Sequence, residues 1–279
     1  MRLVPADTVR QRVTELILAV SRELPPDVAR ALAAAHERER SPRGREILRQ
    51  LRENAACAAA EGLPLCQDTG SAVFFVTHGE DVRLTGGTLR DTLTRATADA
   101  YRMGYLRNSM CHPLTRANTG DNTPIVLHLD LVPGDGLTVR FLPKGGGAEN
   151  MSACAMFAPA KGREGVKNFV RRVVAEAGPN PCPPVIVGVG VGGTFDLAPS
   201  LAKEALLRPL GSPNPDADAA LLEQELLAEL NALGIGPGGL GGDCGCLAVH
   251  VRLHPCHIAS LPVAVNIQCN SARHGEVSF

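Results

Sequence analysis

Tryptophan is absent from the 279 residues and tyrosine occurs only twice, so the aromatic platforms on which single-stranded nucleic acids stack are scarce. Neither sign of charge prevails: 28 Lys and Arg stand against 29 Asp and Glu, and a net charge of -1 gathers neither a polyanion nor an acidic lipid surface. Nucleic acid and membrane are therefore not expected partners. Long apolar runs are missing too. Stretches such as PPVIVGVGVGG fall well short of the ~20 residues a membrane span needs, and they carry Gly and Pro. The first residues, MRLVPADTVRQRVTELILAV, scatter charge through their apolar periodicity, where an export signal keeps its apolar core unbroken. A cytoplasmic protein is the expectation.

What the chain does have is an ordinary hydrophobic fraction of 44% and nine cysteines. At 279 residues it sits near the upper end of what one core serves. An odd number of cysteines without an export signal argues against a disulfide framework, leaving thiols, metal ligands or small core residues.

Patterning predicts a helical part over residues 1–62 and an α/β part over 63–279, read together as a single domain. DTVRQRVTELILAVSREL spaces Val9, Val13, Leu16, Ile17 and Val20 by three and four, as one face of a helix requires. A second helix is expected in PPDVARALAAAHERER. A third is expected in SPRGREILRQLRENAACAAAEG, with Ser41 as cap, Pro42 at the first helical position and Gly62 as stop. Beyond Gly62, SAVFFVTHG reads as a strand, TLRDTLTRATADAYRMGYLR as a helix, and TPIVLHLDLVPGDGLTVRFLP as two strands joined by a turn at Pro133–Gly136. Helices are expected in GREGVKNFVRRVVAEAG, DLAPSLAKEALL and ADAALLEQELLAELNALG, and strands in CPPVIVGVGVGG, CLAVHVRLHP and LPVAVNIQC. The order implies an α/β fold in which a mixed sheet is surrounded by helices, with a helical N-terminal layer.

Several short motifs carry chemistry beside a plain structural alternative. GVGVGG fits G-x-G-x-x-G at Gly188, Gly190 and Gly193, yet the acidic residue a dinucleotide site wants at the end of a following strand is missing, which leaves a tight strand-to-helix turn. KGGG, Lys144 to Gly147, sets bare amides beside a cation and suits either an anion or a flexible turn. Cys244 and Cys246 make only half of a zinc pattern, and His250, His254 and His257 have no zinc spacing. In LPLCQDTGSAVFF, a thiol, an amide, a carboxylate and a hydroxyl follow one another at Cys66, Gln67, Asp68 and Thr69. Spacing alone does not decide between a core thiol and a ligand there.

Taken together, CQDTG, NTGDNTP, KGGGAENMSA, CPPVIVGVGVGGT and IQCNSARH resemble the iron–sulfur fumarate hydratases of class I and the related L-tartrate dehydratases, over nearly the whole chain. The resemblance implies the α subunit, or its N-terminal domain equivalent, of a hydro-lyase. It implies a [4Fe–4S] cluster held by Cys66, Cys182 and Cys269, whose three thiolates leave one iron open as a Lewis acid. Asp68 and His257 then take the catalytic positions, with Asp68 exchanging a proton with the departing hydroxyl. Gln67, Arg107 and the backbone of Gly146 take the substrate-binding ones.

Because fused relatives add a further domain and this sequence stops at GEVSF, the resemblance also implies a separate β subunit that completes the site, with an α2β2 assembly. Fumarate and (S)-malate are the first choice of substrate, on KGGGAENMS and VGGTFD, and L-tartrate, giving oxaloacetate, is the alternative. From other classes, an iron–sulfur redox protein would leave Gln67, Asp68 and Arg107 without use. A zinc-structured module would rest on Cys244 and Cys246.

Overall fold

The computed structural model describes all residues, 1–279. In chain order the elements are β1 (Arg2–Pro5), α1 (Ala6–Arg22), α2 (Pro26–Arg38), α3 (Pro42–Glu61), β2 (Ser71–Gly79), β3 (Val82–Thr85), α4 (Leu89–Met103), β4 (Val126–Val132) and β5 (Leu137–Lys144). There follow α5 (Gly146–Glu149), β6 (Ala153–Phe157), α6 (Gly162–Ala177), β7 (Val185–Gly193), α7 (Leu197–Ala205), α8 (Ala217–Asn231), β8 (Cys246–Cys256), β9 (Leu261–Gln268) and β10 (Gly275–Ser278). The fold is mixed α/β, as the patterning predicts, and no helix is long and apolar enough to cross a membrane.

Two compact units share the chain. The first comprises Met1–Pro25, Ala55–Gly146 and Arg273–Phe279. Its four-stranded sheet has the order β10-β5-β2-β4, antiparallel except for the parallel pair β2 and β4. The two strands joined by the Pro133–Gly136 turn are both present but do not pair with each other, because β2 lies between them. Helices α1 and α4 cover one face. Val9, Val13 and Ile17 of α1 are fully buried against Leu93, Ala96 and Ala100 of α4 and against Phe74 and Phe141 of the sheet. The three- and four-residue spacings put these side chains on one stripe of each helix, and burying such a stripe is the main stabilising term for the unit. Thr88 caps α4 by accepting the Asp91 amide at 3.2 Å.

The second unit, Pro26–Asn54 and Gly147–Ala272, is built on the sheet β6-β9-β7-β8, in which β7 runs parallel to β8 and antiparallel to β9. Here GVGVGG is not a turn but lies within β7. Alternation along a strand sends successive side chains to opposite faces. Val185, Val187 and Val189 meet the core formed with α6 and α8, while Gly188 and Gly190 face α7. A Cβ on Gly188 would stand 2.0 Å from the Ala202 carbonyl oxygen, and one on Gly190 2.2 Å from that of Ala198. These glycines therefore seat a helix against the strand, and the dinucleotide reading has no turn to occupy.

Candidate active site

Asp68 is the centre of the first unit's polar cluster. It is half-buried in the loop between α3 and β2, and its two carboxylate oxygens accept different backbone amides: Gly70 donates to Oδ1 at 3.1 Å and Gly146 donates to Oδ2 at 2.7 Å. The approach is tight at one glycine of the segment, where a Cβ on Gly145 would lie 3.1 Å from Asp68 Oδ2. Gly146, whose backbone is expected to contact substrate, gives its amide here to Asp68 and so fixes the carboxylate. Arg273, a fully buried guanidinium, donates from Nη2 to the Asp68 carbonyl oxygen at 2.8 Å.

The loop around Asp68 is held from below. The Thr69 hydroxyl donates to the Arg107 carbonyl at 2.6 Å, Tyr101 donates to the carbonyls of Thr69 and Gly70 at 2.9 Å each, and Asn122 donates to the Gly70 carbonyl at 3.1 Å. Burial pushes the Tyr101 hydroxyl well above the usual phenol range, so it remains a donor. Gln67 and Arg107 are exposed, and the Thr69 bond ties the Arg107 backbone to the loop that carries Asp68. Asp68, Gly146, Arg107 and Gln67 thus belong to one local constellation. Arg273, Asn122 and Tyr101 were not foreseen as parts of it, although Arg273 and Asn122 stand inside the quoted motifs IQCNSARH and NTGDNTP, and Thr69 was noted beside Asp68 without a role.

Cys66 also belongs to this loop, half-buried, whereas Cys182 and Cys269 belong to the second unit. Those two are neighbours by topology. Cys182 precedes β7 and Cys269 follows β9, and the antiparallel pairing of Ile186 with Gln268 puts both at one end of the sheet. The link is direct in the backbone: Asn270 donates from its amide at 3.2 Å and from Nδ2 at 2.7 Å to the Cys182 carbonyl. Cys182 is exposed with φ at +57°, a left-handed conformation that is uncommon for a residue with a Cβ.

None of the nine cysteines is in a disulfide. The two of the half zinc pattern are core residues: Cys244 and Cys246 are buried, and burial pushes the Cys246 thiol up to about 12. Cys66, Cys182 and Cys269 differ in lying at loops with partial or full exposure. As a donor set, loop thiols outside the core fit an iron–sulfur cluster. No three His, Cys, Asp or Glu side chains are grouped as ligands of one metal ion. A cluster distributes its thiolates over separate irons and does not need that grouping.

His257 stands apart. It lies exposed between β8 and β9, where Nδ1 accepts the Ala259 amide at 3.1 Å. That turn is at the opposite end of the sheet from Cys182 and Cys269, separated by the length of β9, roughly 25 Å at the usual strand rise. Beside His257 is an apolar cavity of about 360 Å³, lined by Val166, Leu222, Leu253 and Leu261 with Arg163 and Cys256.

Residues 10–278 match the model of the fumarate hydratase (Fumerase) family. The chain is 40% identical over 272 residues to the putative L(+)-tartrate dehydratase subunit alpha of Methanocaldococcus jannaschii, covering 92% of this chain and 94% of that protein. It is 35% identical over 273 residues to the L(+)-tartrate dehydratase subunit alpha of Escherichia coli strain UTI89, covering 95% of this chain and 89% of that one. The like-named protein of Shigella boydii is 34% identical over the same shares of both chains. With the family match running nearly from end to end, the chain belongs to the fumarate hydratase family of hydro-lyases.

Proposed function

We propose that this chain is the α subunit of a two-subunit hydro-lyase that removes water from, or adds it to, a four-carbon dicarboxylate. The observation that carries the reading is the carboxylate of Asp68, clamped by one amide on each oxygen and tied through Thr69 to the backbone of Arg107. In dehydration the C–O bond to the hydroxyl breaks and a proton leaves the adjacent carbon, with that C–H electron pair forming the double bond. Asp68 is the group that gives the departing hydroxyl its proton, and in hydration the same atoms take one back. The Arg107 guanidinium, with a planar fork of donors, grips a substrate carboxylate, and Gln67 offers an amide beside it.

Cys66, Cys182 and Cys269 are the residues that would hold the [4Fe–4S] cluster, which when bound supplies an iron with an open position as Lewis acid. The carbon base and the remaining carboxylate partners belong to a β subunit, a reading supported by the "subunit alpha" names of the relatives. His257 would act only in a site completed by another chain, because its own unit keeps it away from Cys182 and Cys269.

Fumarate with (S)-malate is the substrate pair that the family description supports. L-tartrate is the second reading, favoured by the names of the relatives. The test is anaerobic copurification of the chain with its β partner, iron and sulfide analysis, and absorbance assays with malate and L-tartrate in parallel. Malate-dependent fumarate formation that needs both subunits supports the first reading, and oxaloacetate from tartrate alone supports the second. A complex that lacks iron and acts on neither substrate overturns the proposal.

A further inference from the structure

Cys182 holds a backbone conformation that its side chain does not favour. Its φ of +57° lies in the left-handed region, where glycine is at ease and a residue with a Cβ is strained. A thiol kept at a position that suits glycine points to a use for the thiol.

Two sets of contacts hold this conformer, both within the second unit. On one side Asn270, itself buried, donates its backbone amide at 3.2 Å and its Nδ2 at 2.7 Å to the Cys182 carbonyl. The Ser271 hydroxyl donates to Asn270 Oδ1 at 3.1 Å, which fixes the end of the side-chain amide that faces Cys182. On the other side is the glycine loop ahead of β8, residues 234–245, GIGPGGLGGDCG. Gly238 donates to the Pro183 carbonyl at 2.8 Å, and a Cβ on Gly239 would stand 2.3 Å from that of Pro179. The far end of the loop is anchored where the buried Glu39 carboxylate accepts the amides of Asp243 and Cys244. Residues 179–184 are thus gripped between a buried side chain and a loop in which a methyl group at position 239 would collide.

We infer that Asn270 and this glycine loop are positioning elements that hold the Cys182 backbone in its left-handed form in the metal-free chain, so that Cys182 and Cys269 are set together as ligands. The inference rests on the proposed ligand role of these two cysteines. Asn270 is suited to the task because it follows Cys269 directly in the chain and grips Cys182 across the sheet end, so one residue couples both thiols. Its two donors converge on one carbonyl oxygen, which has a lone pair for each. Ligands ordered in advance do not charge their ordering to the binding step, and outer partners of this kind typically change metal affinity by about 10–100-fold when removed.

The test uses the full chain copurified anaerobically with its β subunit and reconstituted with ferrous iron and sulfide. Iron and sulfide content and the decay of visible absorbance under a chelator are followed, none of which needs turnover. Asn270→Ala is expected to speed the decay by about 10-fold or more with an unchanged circular dichroism spectrum. Asn270→Asp, of the same shape but with an acceptor facing the carbonyl, is expected to be at least as fast. Gly239→Ala, which touches no thiol, should act in the same direction. In the metal-free chain, Asn270→Ala should speed hydrogen exchange over residues 179–184 and leave α6 unchanged. Cys182→Gly should unfold at a higher urea midpoint than Cys182→Ala, since only glycine relieves the strained φ. The inference is overturned, with the cluster reading intact, if the wild-type complex loads iron and both Asn270 variants retain it as long. It is also overturned if exchange over 179–184 does not change, or if Cys182→Gly is no more stable than Cys182→Ala. A wild-type complex that takes up no iron and sulfide overturns the cluster reading and this inference together.

Discussion

Asp68 is a residue whose neighbours restrict what it can do: with Gly70 and Gly146 each donating to one oxygen, the carboxyl group cannot rotate away from the edge it presents. Asp68→Asn replaces one acceptor with a donor that faces an amide, and it removes the transferable proton. Turnover of the complete complex should fall by about 100-fold or more with iron and sulfide content unchanged, and a near-normal kcat would remove Asp68 from proton transfer. Arg107→Lys keeps the charge but loses the planar fork, so KM is expected to rise more than kcat falls. Thiols give a second residue-scale test without any assay of turnover. Cys244 and Cys246 are buried, with the Cys246 thiol raised to about 12, whereas Cys182 is exposed. Mass-mapped alkylation at pH 8 should therefore label Cys182 and spare the buried pair, because the thiolate is the reacting form. After anaerobic reconstitution with iron and sulfide, Cys182, Cys66 and Cys269 should all become protected; labelling of Cys182 that is the same before and after would exclude it as a ligand.

At the scale of elements, β7 and the loop before β8 show two ways of joining segments tightly. On β7, Gly190 leaves no space for a methyl group beneath α7, so Gly190→Ala must push the helix away and is expected to cost at least about 2 kcal/mol in urea unfolding. Ahead of β8, the buried carboxylate of Glu39 accepts the amides of Ser41 at 2.8 Å, of Asp243 at 2.9 Å and of Cys244 at 2.9 Å. Glu39→Gln turns one acceptor oxygen into a donor among donors, and a loss of about 2 kcal/mol is expected, measured as a lowered unfolding midpoint. Elements with strong periodicity were legible in the sequence: α1, β2 and α6 stand where their patterns put them. Short strands were not, since the four residues of β1, β3 and β10 are too few to show alternation. Pairing was hidden for a different reason. A short turn between β4 and β5 constrains where their ends lie, but it says nothing about a third strand inserted between them.

For the whole molecule, the candidate site was legible only as a set of motifs, because the contacts that build it join residues remote in sequence. Arg273 reaches Asp68 across 205 positions and Gly146 reaches it across 78, separations at which no local pattern operates. The motif resemblance gave Gly146 a backbone contact to substrate, and what it could not give is the hydrogen bond from the Gly146 amide to Asp68. The first unit's architecture has a consequence for synthesis. Its sheet includes β10, paired antiparallel with β5 through Val277 opposite Val139, and its central loop is held by Arg273. Both come from residues 273–279, made after every residue of the second unit. A chain ending at Ala272 would keep every residue of the second unit's sheet while β5 of the first unit stays an open edge. Such a truncated chain would have an intact second unit and a first unit lacking one strand, a species that chaperones or proteases are expected to meet first.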